Sequence, residues 1–494
     1  MSDDDQRPLE PSADEMRRLV DAAVDRIVEH VQSLPRQPSN ELEGSLELGR
    51  SLVEERIPTE AAPLEELLAL LFERAVPKSY NTISPGFMAY IPGGGLFHSA
   101  VADLIAASVN RYSTVWAAAP GLATLEANVV RWFCEMVGYP EEARGFLTTG
   151  GSLANFSAIF TARRERLPEN FLDGTIYVSD QIHHSVRRAA GLAGFPSRAV
   201  RSVGVDDQFR IRIDELERSI DADREAGRTP FLVNASAGTT NTGAVDDLAA
   251  LADLCEREDL WLHIDAAYGG FFMLTERGRR TQAGLERADS VTLDPHKGLF
   301  LPYGTGCLLV RDGAALKRAH AIAADYMPPM QDSDELVDFC NISPELSRGF
   351  RGLRIWLPMK LFGVGVFRDE LDEKLDLVEW ATAELERIPE IEIVARPQLS
   401  VVAFRRRIDG LDDAELNRVN RDLIQRINDK KRVFITGTML DGWFVLRICV
   451  VSFRTHEVNV RACLEDLRAA LEEQSRDEPA GARRSKASAS SDVE

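Results

Sequence analysis

The chain has 494 residues, enough at roughly 150 residues per domain for about three structural units or one large unit with appendages, which excludes a peptide or a single small module. Hydrophobic residues make up 44% and charged residues 28%, an ordinary globular mixture that excludes wholesale disorder. Acidic residues outnumber basic ones by 79 to 58, and the net charge of -21 disfavours nucleic acid and anionic lipid surfaces as partners.

The opening MSDDDQRPLE is acidic and polar, with neither the positive start and apolar segment of a secretory signal nor an Arg-rich transit pattern, so a cytoplasmic location is expected. Met16, Leu19, Val20, Ala23, Val24, Ile27 and Val31 recur at helical spacing and predict an amphipathic helix that needs a partner. A second helical pattern covers Leu64 to Val76. The uncharged stretch from Ser79 to Ala102 contains Pro85, Pro92 and four glycines, which would break a membrane-spanning helix and leave its backbone unsatisfied in lipid. It reads as irregular backbone that is buried or lines a site. VADLIAASV and LATLEANVVRWFCEMVG then predict two further helices.

From Arg144 the character changes. The runs TIYVS, FLVNAS, LWLHID, DSVTLD and TGCLLVR alternate with helical patterns such as Leu153 to Arg164 and Asp246 to Glu258, and such alternation predicts helices covering a largely parallel sheet. After Arg354 a helical stretch from Leu361 to Leu385 leads into strand candidates EIEIVA, LSVVAF, RVFITG and WFVLRICV, with a helix at Asp413 to Ile427, a small α+β unit. The tail from Gln474 is rich in Ser, Ala and charge and has little to bury. Cys134, Cys255, Cys307, Cys340, Cys449 and Cys463 form no CxxC pair, a poor match to a zinc site or a disulfide framework, and read as reduced core thiols. No metal site is expected. There is no repeat of 20 to 50 residues and no P-loop.

In an open α/β sheet ligands collect beyond the carboxyl ends of strands, so the residues directly after each strand-like run carry the information. The segment LTTGGSLANFSAIF sets Thr148, Thr149, Gly150, Gly151 and Ser152 before a helix. Glycine backbone at a helix start lets N–H groups approach an anion such as phosphate, although a tight turn with Ser152 as a plain N-cap fits as well. In LWLHIDAAYGG, Asp265 ends an apolar strand, and a carboxylate there needs a partner, either a protonated heteroaromatic nitrogen or a turn that it caps. Lys297, in DSVTLDPHKGLFLPYG, sits among apolar residues and glycines, where burial makes a lysine lose its charge more easily and a neutral amine can form a Schiff base. His183, next to His184 after the strand TIYVS, could stack on a flat ring and shuttle protons, or be an ordinary satisfied histidine.

An anion cradle, a buried carboxylate, a desolvated lysine and a stacking imidazole at successive strand ends match the needs of pyridoxal phosphate, which requires a lysine imine, a carboxylate for its pyridinium proton and a phosphate site. At these residues the sequence resembles the group II pyridoxal-phosphate amino-acid decarboxylases, the family of aromatic amino-acid, histidine, glutamate and cysteine-sulfinate decarboxylases. The resemblance runs roughly from Leu64 to Leu471 and is carried by TTGGSLANFSAIFTAR, SDQIHHSVRRAAGLAG, NASAGTTNTGAVDDL, WLHIDAAYGG and DPHKG.

The resemblance implies that Lys297 is the Schiff-base lysine, Asp265 the pyridinium partner and His183 the residue stacked on the ring. Gly151 and Ser152 would hold the phosphate with His296 and Asp294 nearby, Thr240 would lie beside the cofactor and substrate, and Ala267 would pack on the ring face. Arg447 falls where some members bind the substrate's α-carboxylate. It further implies an α/β architecture of fold type I, the aspartate-aminotransferase-like fold. Residues 1–82 would be a helical segment wrapping a partner subunit, 83–363 a large cofactor-binding domain with a mainly parallel seven-stranded sheet, 364–473 a small C-terminal α+β domain and 474–494 a disordered tail. The working unit would be a homodimer, and the reaction a decarboxylation that releases carbon dioxide and an amine.

Two departures from the family pattern stand out. Alignment on LSRGFRGLRIW puts Phe339 where members carry a loop tyrosine that returns a proton; relatives with that replacement can be diverted by oxygen to an aldehyde, whereas a slip of a few residues would leave Tyr326 or His184 as the donor. In DPHKG, Asp294 stands where many aromatic decarboxylases have asparagine and Gly298 where they have tryptophan, and a carboxylate beside a phosphate is repelled unless turned away or protonated. Phe87, Tyr90 and Pro92, in SPGFMAYIP, match the side-chain pocket of relatives and favour an aromatic amino acid; an acidic substrate such as glutamate would want an extra cation, and none stands out in that segment. The alternatives outside this chemistry are an aminotransferase of the same fold type and a non-catalytic cofactor-binding or regulatory protein, against which the complete set of Lys297, Asp265 and His183 argues.

Overall fold

Runs such as Ile176–Val178 and Phe231–Val233 are apolar at consecutive positions, as a strand must be when helices cover both of its faces. In the computed structural model, which describes residues 9–53, 56–321 and 336–477, they belong to a seven-stranded sheet. Its strands are β1 (Arg144–Thr148), β2 (Gly174–Ser179), β3 (Val200–Val203), β4 (Thr229–Ser236), β5 (Trp261–Asp265), β6 (Ser290–Leu293) and β7 (Gly306–Val310), in the order β1-β7-β6-β5-β4-β2-β3. Strands β3, β2, β4, β5 and β6 are mutually parallel and only β7 runs against its neighbours β1 and β6. The carboxyl ends of β2, β4, β5 and β6 therefore open along one edge. The register sets Ser236 beside Asp265 and Asp265 beside Thr292, so polar groups line up along the end of an otherwise apolar sheet.

A second, antiparallel sheet is built from β8 (Ile391–Ala395), β9 (Val401–Arg406), β10 (Thr436–Leu440) and β11 (Trp443–Cys449), ordered β10-β11-β9-β8. With the larger sheet this is the expected α/β arrangement of fold type I. The chain forms two compact units, one from Met1–Phe87, Gln425–Phe434 and Val458–Glu494 and the other from Met88–Ile424 and Ile435–Glu457. The second holds both sheets. In the first, the helix Ala13–Ser33 starts with a reciprocal cap between Ser12 and Glu15 and buries none of its residues. Elsewhere in that unit Tyr80 stacks on Phe434 with ring centroids 4.6 Å apart, and Lys431 pairs with Glu41 at 2.6 Å.

Three elements differ from the sequence expectation. The helical stretch Leu361 to Leu385 is two helices, Leu353–Phe362 and Val364–Glu386, parted by Gly363 at φ 72°, a left-handed conformation that favours glycine. The strand expected at RVFITG starts later, at Thr436, and Phe434 makes only an isolated bridge to Phe87. Strand β3 was not anticipated, because four residues with two polar side chains at a sheet edge leave little periodic signal. All six cysteines are buried and unpaired. Among the described residues no helix is long and apolar enough to cross a membrane.

Candidate active site

Each strand end delivers one functional group to the same place. After β1 the chain turns through Gly150 into the helix Gly151–Arg166, whose first-turn N–H groups have no partner within the helix. A Cβ at Gly151 would lie 3.1 Å from Asp294 Oδ2 and 3.2 Å from the Ala267 Cβ, so glycine lets the backbone reach the cavity without displacing either neighbour. After β2, His183 caps the helix His184–Leu192, its Nδ1 lying 2.7 Å from Ser185 Oγ. Burial pushes the His183 pKa down, against the pull of Asp265. After β4, Gly238 adopts φ 100° at a point where a Cβ would be 2.5 Å from the Tyr268 ring, and the turn carries Thr239 and Thr240.

Asp265 ends β5. Its Oδ1 accepts from the Ala267 N–H at 3.1 Å and its Oδ2 from Asn155 Nδ2 at 2.8 Å, so both oxygens of this buried carboxylate have donors. Beyond β6, Lys297 Nζ lies 2.9 Å from Asp294 Oδ2. His296 Nδ1 donates to the Thr305 carbonyl at 2.6 Å, and burial lowers the pKa of that imidazole.

The Lys297 pairing corrects the sequence reading. Burial alone does pull the amine down, as expected, but the charge and hydrogen bond of Asp294, with the charge of Asp265, outweigh it and the net shift is upward. Lys297 is held as an ammonium by a carboxylate three residues before it.

Gly151, Ser152, His183, Thr240, Asp265, Ala267, His296 and Lys297 all line one cavity of about 280 Å³, together with Asp294. That volume is near the lower end of the range of roughly 300–1,000 Å³ usual for small-molecule sites. Tyr90, Pro92, Arg447 and Phe339 are not part of its walls. Phe87 is buried in the first compact unit with its ring 5.7 Å from that of Phe434. Tyr90 is exposed. Arg447 is buried and gives its hydrogens to the carbonyls of Asn241, Tyr90 and Thr240 and to Thr436 Oγ1. Phe339 is fully buried in the core cluster of Phe146, Leu316 and Ile342, with the Arg348 guanidinium 4.5 Å over its ring. Arg348 pairs in turn with Glu126 at 2.5 Å, both side chains wholly buried. Tyr326 lies outside the described residues.

Sequence reasoning missed Asn155 and Ser185, which line the cavity, and His263 and Thr292, which are buried against Asn155. One signal was available: Asn155 occupies the buried face of a helix whose neighbouring inward positions are Ala154, Ala158, Ile159 and Ala162. A polar side chain on such a face must have partners.

The donor set fits pyridoxal phosphate: an amine for the aldehyde, a doubly solvated carboxylate for the ring nitrogen, a helix start for the phosphate and an imidazole beside the cavity. The buried Asp294 Oδ1 has no hydrogen-bond partner among the described residues, as suits an atom facing a ligand.

Comparison with known proteins agrees. Residues 47–407 match the pyridoxal-dependent decarboxylase conserved domain. The chain is 36% identical over 467 residues to an aromatic-L-amino-acid decarboxylase of Bacillus atrophaeus, covering 94% of this chain and 97% of that one. It is 30% identical over 479 residues to the tryptophan decarboxylase TDC2 of Camptotheca acuminata, covering 94% and 95%. Among solved structures, the Oryza sativa TDC with PLP and tryptamine superposes with a TM-score of 0.89 at 27% identity over 95% of this chain and 99% of that one. The Catharanthus roseus tryptophan decarboxylase in complex with L-tryptophan gives 0.88 at 26% identity over 95% and 100%. With its lysine, carboxylate and phosphate turn in one cavity and a family match across most of its length, the chain belongs to the pyridoxal-dependent decarboxylases and is a PLP-dependent carboxy-lyase.

Proposed function

We propose that the protein decarboxylates an aromatic L-amino acid to the amine and carbon dioxide, and that two copies of the chain form the working unit. The observation that carries the reading is the convergence of Lys297, Asp265, His183 and the Gly151–Ser152 helix start on one cavity. Bound pyridoxal phosphate supplies an electron sink for the pair left behind when the substrate's carboxylate departs. Lys297 would hold the cofactor's aldehyde, with Asp294 Oδ2 at 2.9 Å to take the proton its amine must shed. Asp265 would keep a proton on the ring nitrogen, and His183 would stack on the ring. The first-turn N–H groups at Gly151 and Ser152, with His296 and Thr240 close by, hold the phosphate.

The aromatic side chain is favoured by the relatives, since the Bacillus atrophaeus protein is named for aromatic amino acids and the Catharanthus roseus structure holds L-tryptophan. It is favoured too by the cavity walls, which among the described residues carry no arginine and whose lysine is paired with Asp294. The described walls therefore offer an acidic side chain no unpaired lysine or arginine.

Amine rather than aldehyde is the expected product. Phe339 lies buried in its own core beneath Arg348, which supports reading its lack of a hydroxyl as a packing property. The homodimer is supported by the helix Ala13–Ser33, on which Met16, Leu19, Val20, Val24 and Val28 stay exposed. Residues 1–82 are accordingly assigned to wrapping the partner subunit.

The test is a panel of aromatic and acidic L-amino acids with the cofactor-loaded enzyme, following amine, carbon dioxide, ammonia, peroxide and oxygen. Equal amine and carbon dioxide from an aromatic substrate without oxygen uptake is the expected result. Aldehyde with ammonia and peroxide, or turnover of glutamate alone, would overturn the proposal.

A further inference from the structure

From one wall of the cavity inward runs a chain of hydrogen bonds with a fixed donor at each end. At one end Trp261 Nε1, which can only donate, gives its hydrogen to Ser290 Oγ at 2.8 Å. At the other, the backbone N–H of Ser185 points at His183 Nδ1 from 3.3 Å. Between them Ser290 Oγ lies 2.8 Å from His263 Nδ1, His263 Nε2 lies 3.0 Å from Asn155 Oδ1, and Asn155 Nδ2 lies 2.8 Å from Asp265 Oδ2 and 3.1 Å from Ser185 Oγ. Ser185 Oγ lies 2.7 Å from His183 Nδ1, and Thr292 Oγ1 donates to Asn155 Oδ1 at 2.8 Å.

An assignment of hydrogens that starts from the Ser185 N–H satisfies every link. Ser290 Oγ accepts from Trp261 and still has a hydrogen to give to His263 Nδ1. Burial pushes the His263 pKa down to about 4, against the pull of Asp265 and of Ser290, so the ring is neutral and its single proton sits on Nε2, directed at Asn155 Oδ1. With its oxygen committed there and to Thr292, the amide turns both N–H bonds toward Asp265 and Ser185. Ser185 Oγ accepts and passes its hydrogen to His183 Nδ1, which the Ser185 backbone N–H also addresses. Asp265 receives donors on both oxygens, from Asn155 and from the Ala267 N–H, so a proton on either oxygen would face another hydrogen. Turning the amide over to accept from a protonated Asp265 would reverse His183, setting its Nδ1–H against the Ser185 N–H, while His263 could still give an Nδ1–H to Ser290 Oγ, which has two acceptor lone pairs.

We propose that Asn155 is a positioning residue whose amide, oriented from the Ser185 end of this chain, keeps a proton off Asp265 and fixes the tautomers of His263 and His183 together. The titratable groups facing Asp265 are His183, His263 and Lys297; burial lowers the pKa of both imidazoles, and Lys297, whose pKa is raised, is the cation of the set. The inference deepens the cofactor reading, because a carboxylate kept bare is what a protonated ring nitrogen needs. It is separable from that reading, because the tautomers are a property of the protein's own hydrogen bonds.

The experiment is nitrogen-15 NMR of the cofactor-loaded protein with labelled histidine, combined with the pH profile of kcat/KM for the wild type and Asn155→Leu. The wild type is expected to carry the His263 proton on Nε2 across neutral pH. In Asn155→Leu the acid limb should move to higher pH, to about tenfold lower proton concentration, since a carboxylate that loses a donor is protonated more readily, while KM on the plateau changes less than about threefold. Loss of packing alone would lower activity at every pH and leave the limb in place. A wild-type His263 proton on Nδ1, or an unmoved acid limb in the variant, overturns the proposal. Should Asn155→Leu fail to fold, the smaller Asn155→Ala removes the same amide and should let part of the His263 population move to Nδ1; an unchanged tautomer there overturns the proposal equally. Borohydride trapping of Lys297 in the same samples reports cofactor attachment separately, so an error in the cofactor reading would appear as a missing adduct and not as a wrong tautomer.

Discussion

On the cofactor side of the cavity, Asp265, Asn155, Ser185 and His183 are joined link by link by hydrogen bonds, and Lys297 is paired with Asp294. The residues that the sequence assigned to the substrate and to proton return behave differently. Arg447 spends its guanidinium on the carbonyls of Tyr90, Thr240 and Asn241, Tyr90 is exposed, and Phe339 is closed into its own core. One chain thus joins the groups around the cavity by its own hydrogen bonds and leaves the apolar row of the helix Ala13–Ser33 unfinished. The difference is physical: under the proposed function a carboxylate and an imidazole that serve one ring gain from being preorganised by buried hydrogen bonds, whereas under the proposed homodimer an apolar row stays open until the second copy covers it.

The harshest way to break this comparison is to remove the amine. Lys297→Ala leaves Asp294 without its cation and the cofactor without its covalent anchor. Turnover should fall by more than about 10³-fold, and borohydride reduction followed by peptide mapping should find no cofactor adduct. Retention of wild-type absorbance and activity would mean that the cavity is not the active site.

The unfinished side is probed on the helix Ala13–Ser33. Val20 and Val24 stand one turn apart on its apolar row, 41% and 38% exposed, and burying a valine is worth roughly 1.5–3 kcal/mol. Replacing both by Asp should weaken the dimer by about a hundredfold or more, seen as concentration-dependent mass in sedimentation, with activity lost in step with dissociation. A dimer of unchanged strength would remove this helix from the interface.

How much was legible followed the same divide. Lys297, Asp265 and His183 could be read because each sits directly after an apolar run, where chain topology alone dictates its position. Asn155 could not, since its meaning depends on Asp265, His263, Thr292 and Ser185, contributed by two strands and a second helix. The upward shift of Lys297 was hidden for a related reason: the segment DPHKG shows both residues, but only the helical turn Pro295–Gly298 brings Asp294 Oδ2 to within 2.9 Å of the amine. The late start of β10 and the short edge strand β3 escaped because neither carries a sustained alternation.

Phe339 sharpens the comparison at the border of the two sides. If it is a core residue, Phe339→Tyr adds a hydroxyl to a cluster with no space assigned to it, costing about 1–3 kcal/mol of stability in chemical denaturation, with the ratio of amine to aldehyde unchanged. If it is instead the proton-return position, the same change should leave stability nearly untouched and suppress aldehyde formation. Product analysis and a denaturation curve on one variant separate the two.

The gentlest change is Asp294→Asn, which keeps shape and an acceptor but drops the charge. Only the neutral amine attacks an aldehyde. In the wild type burial lowers the Lys297 pKa, and Asp294, with Asp265, raises it beyond the ordinary lysine value, so capture of pyridoxal phosphate by the cofactor-free protein should go on accelerating as pH rises through the alkaline range. Without Asp294 the lowering effect of burial is opposed only by the smaller pulls of Asp265 and Tyr303; the plateau should come at lower pH, and capture near neutrality should be about tenfold faster, because a larger share of the amine is then neutral. The stability linkage has the matching sign. A lysine whose folded value is raised contributes stability that is present below its unfolded value and lost as pH rises through the folded one, so the variant should lose less stability between neutral and strongly alkaline pH. Stopped-flow capture curves that coincide for the two proteins at every pH would show that Asp294 does not hold the proton on Lys297.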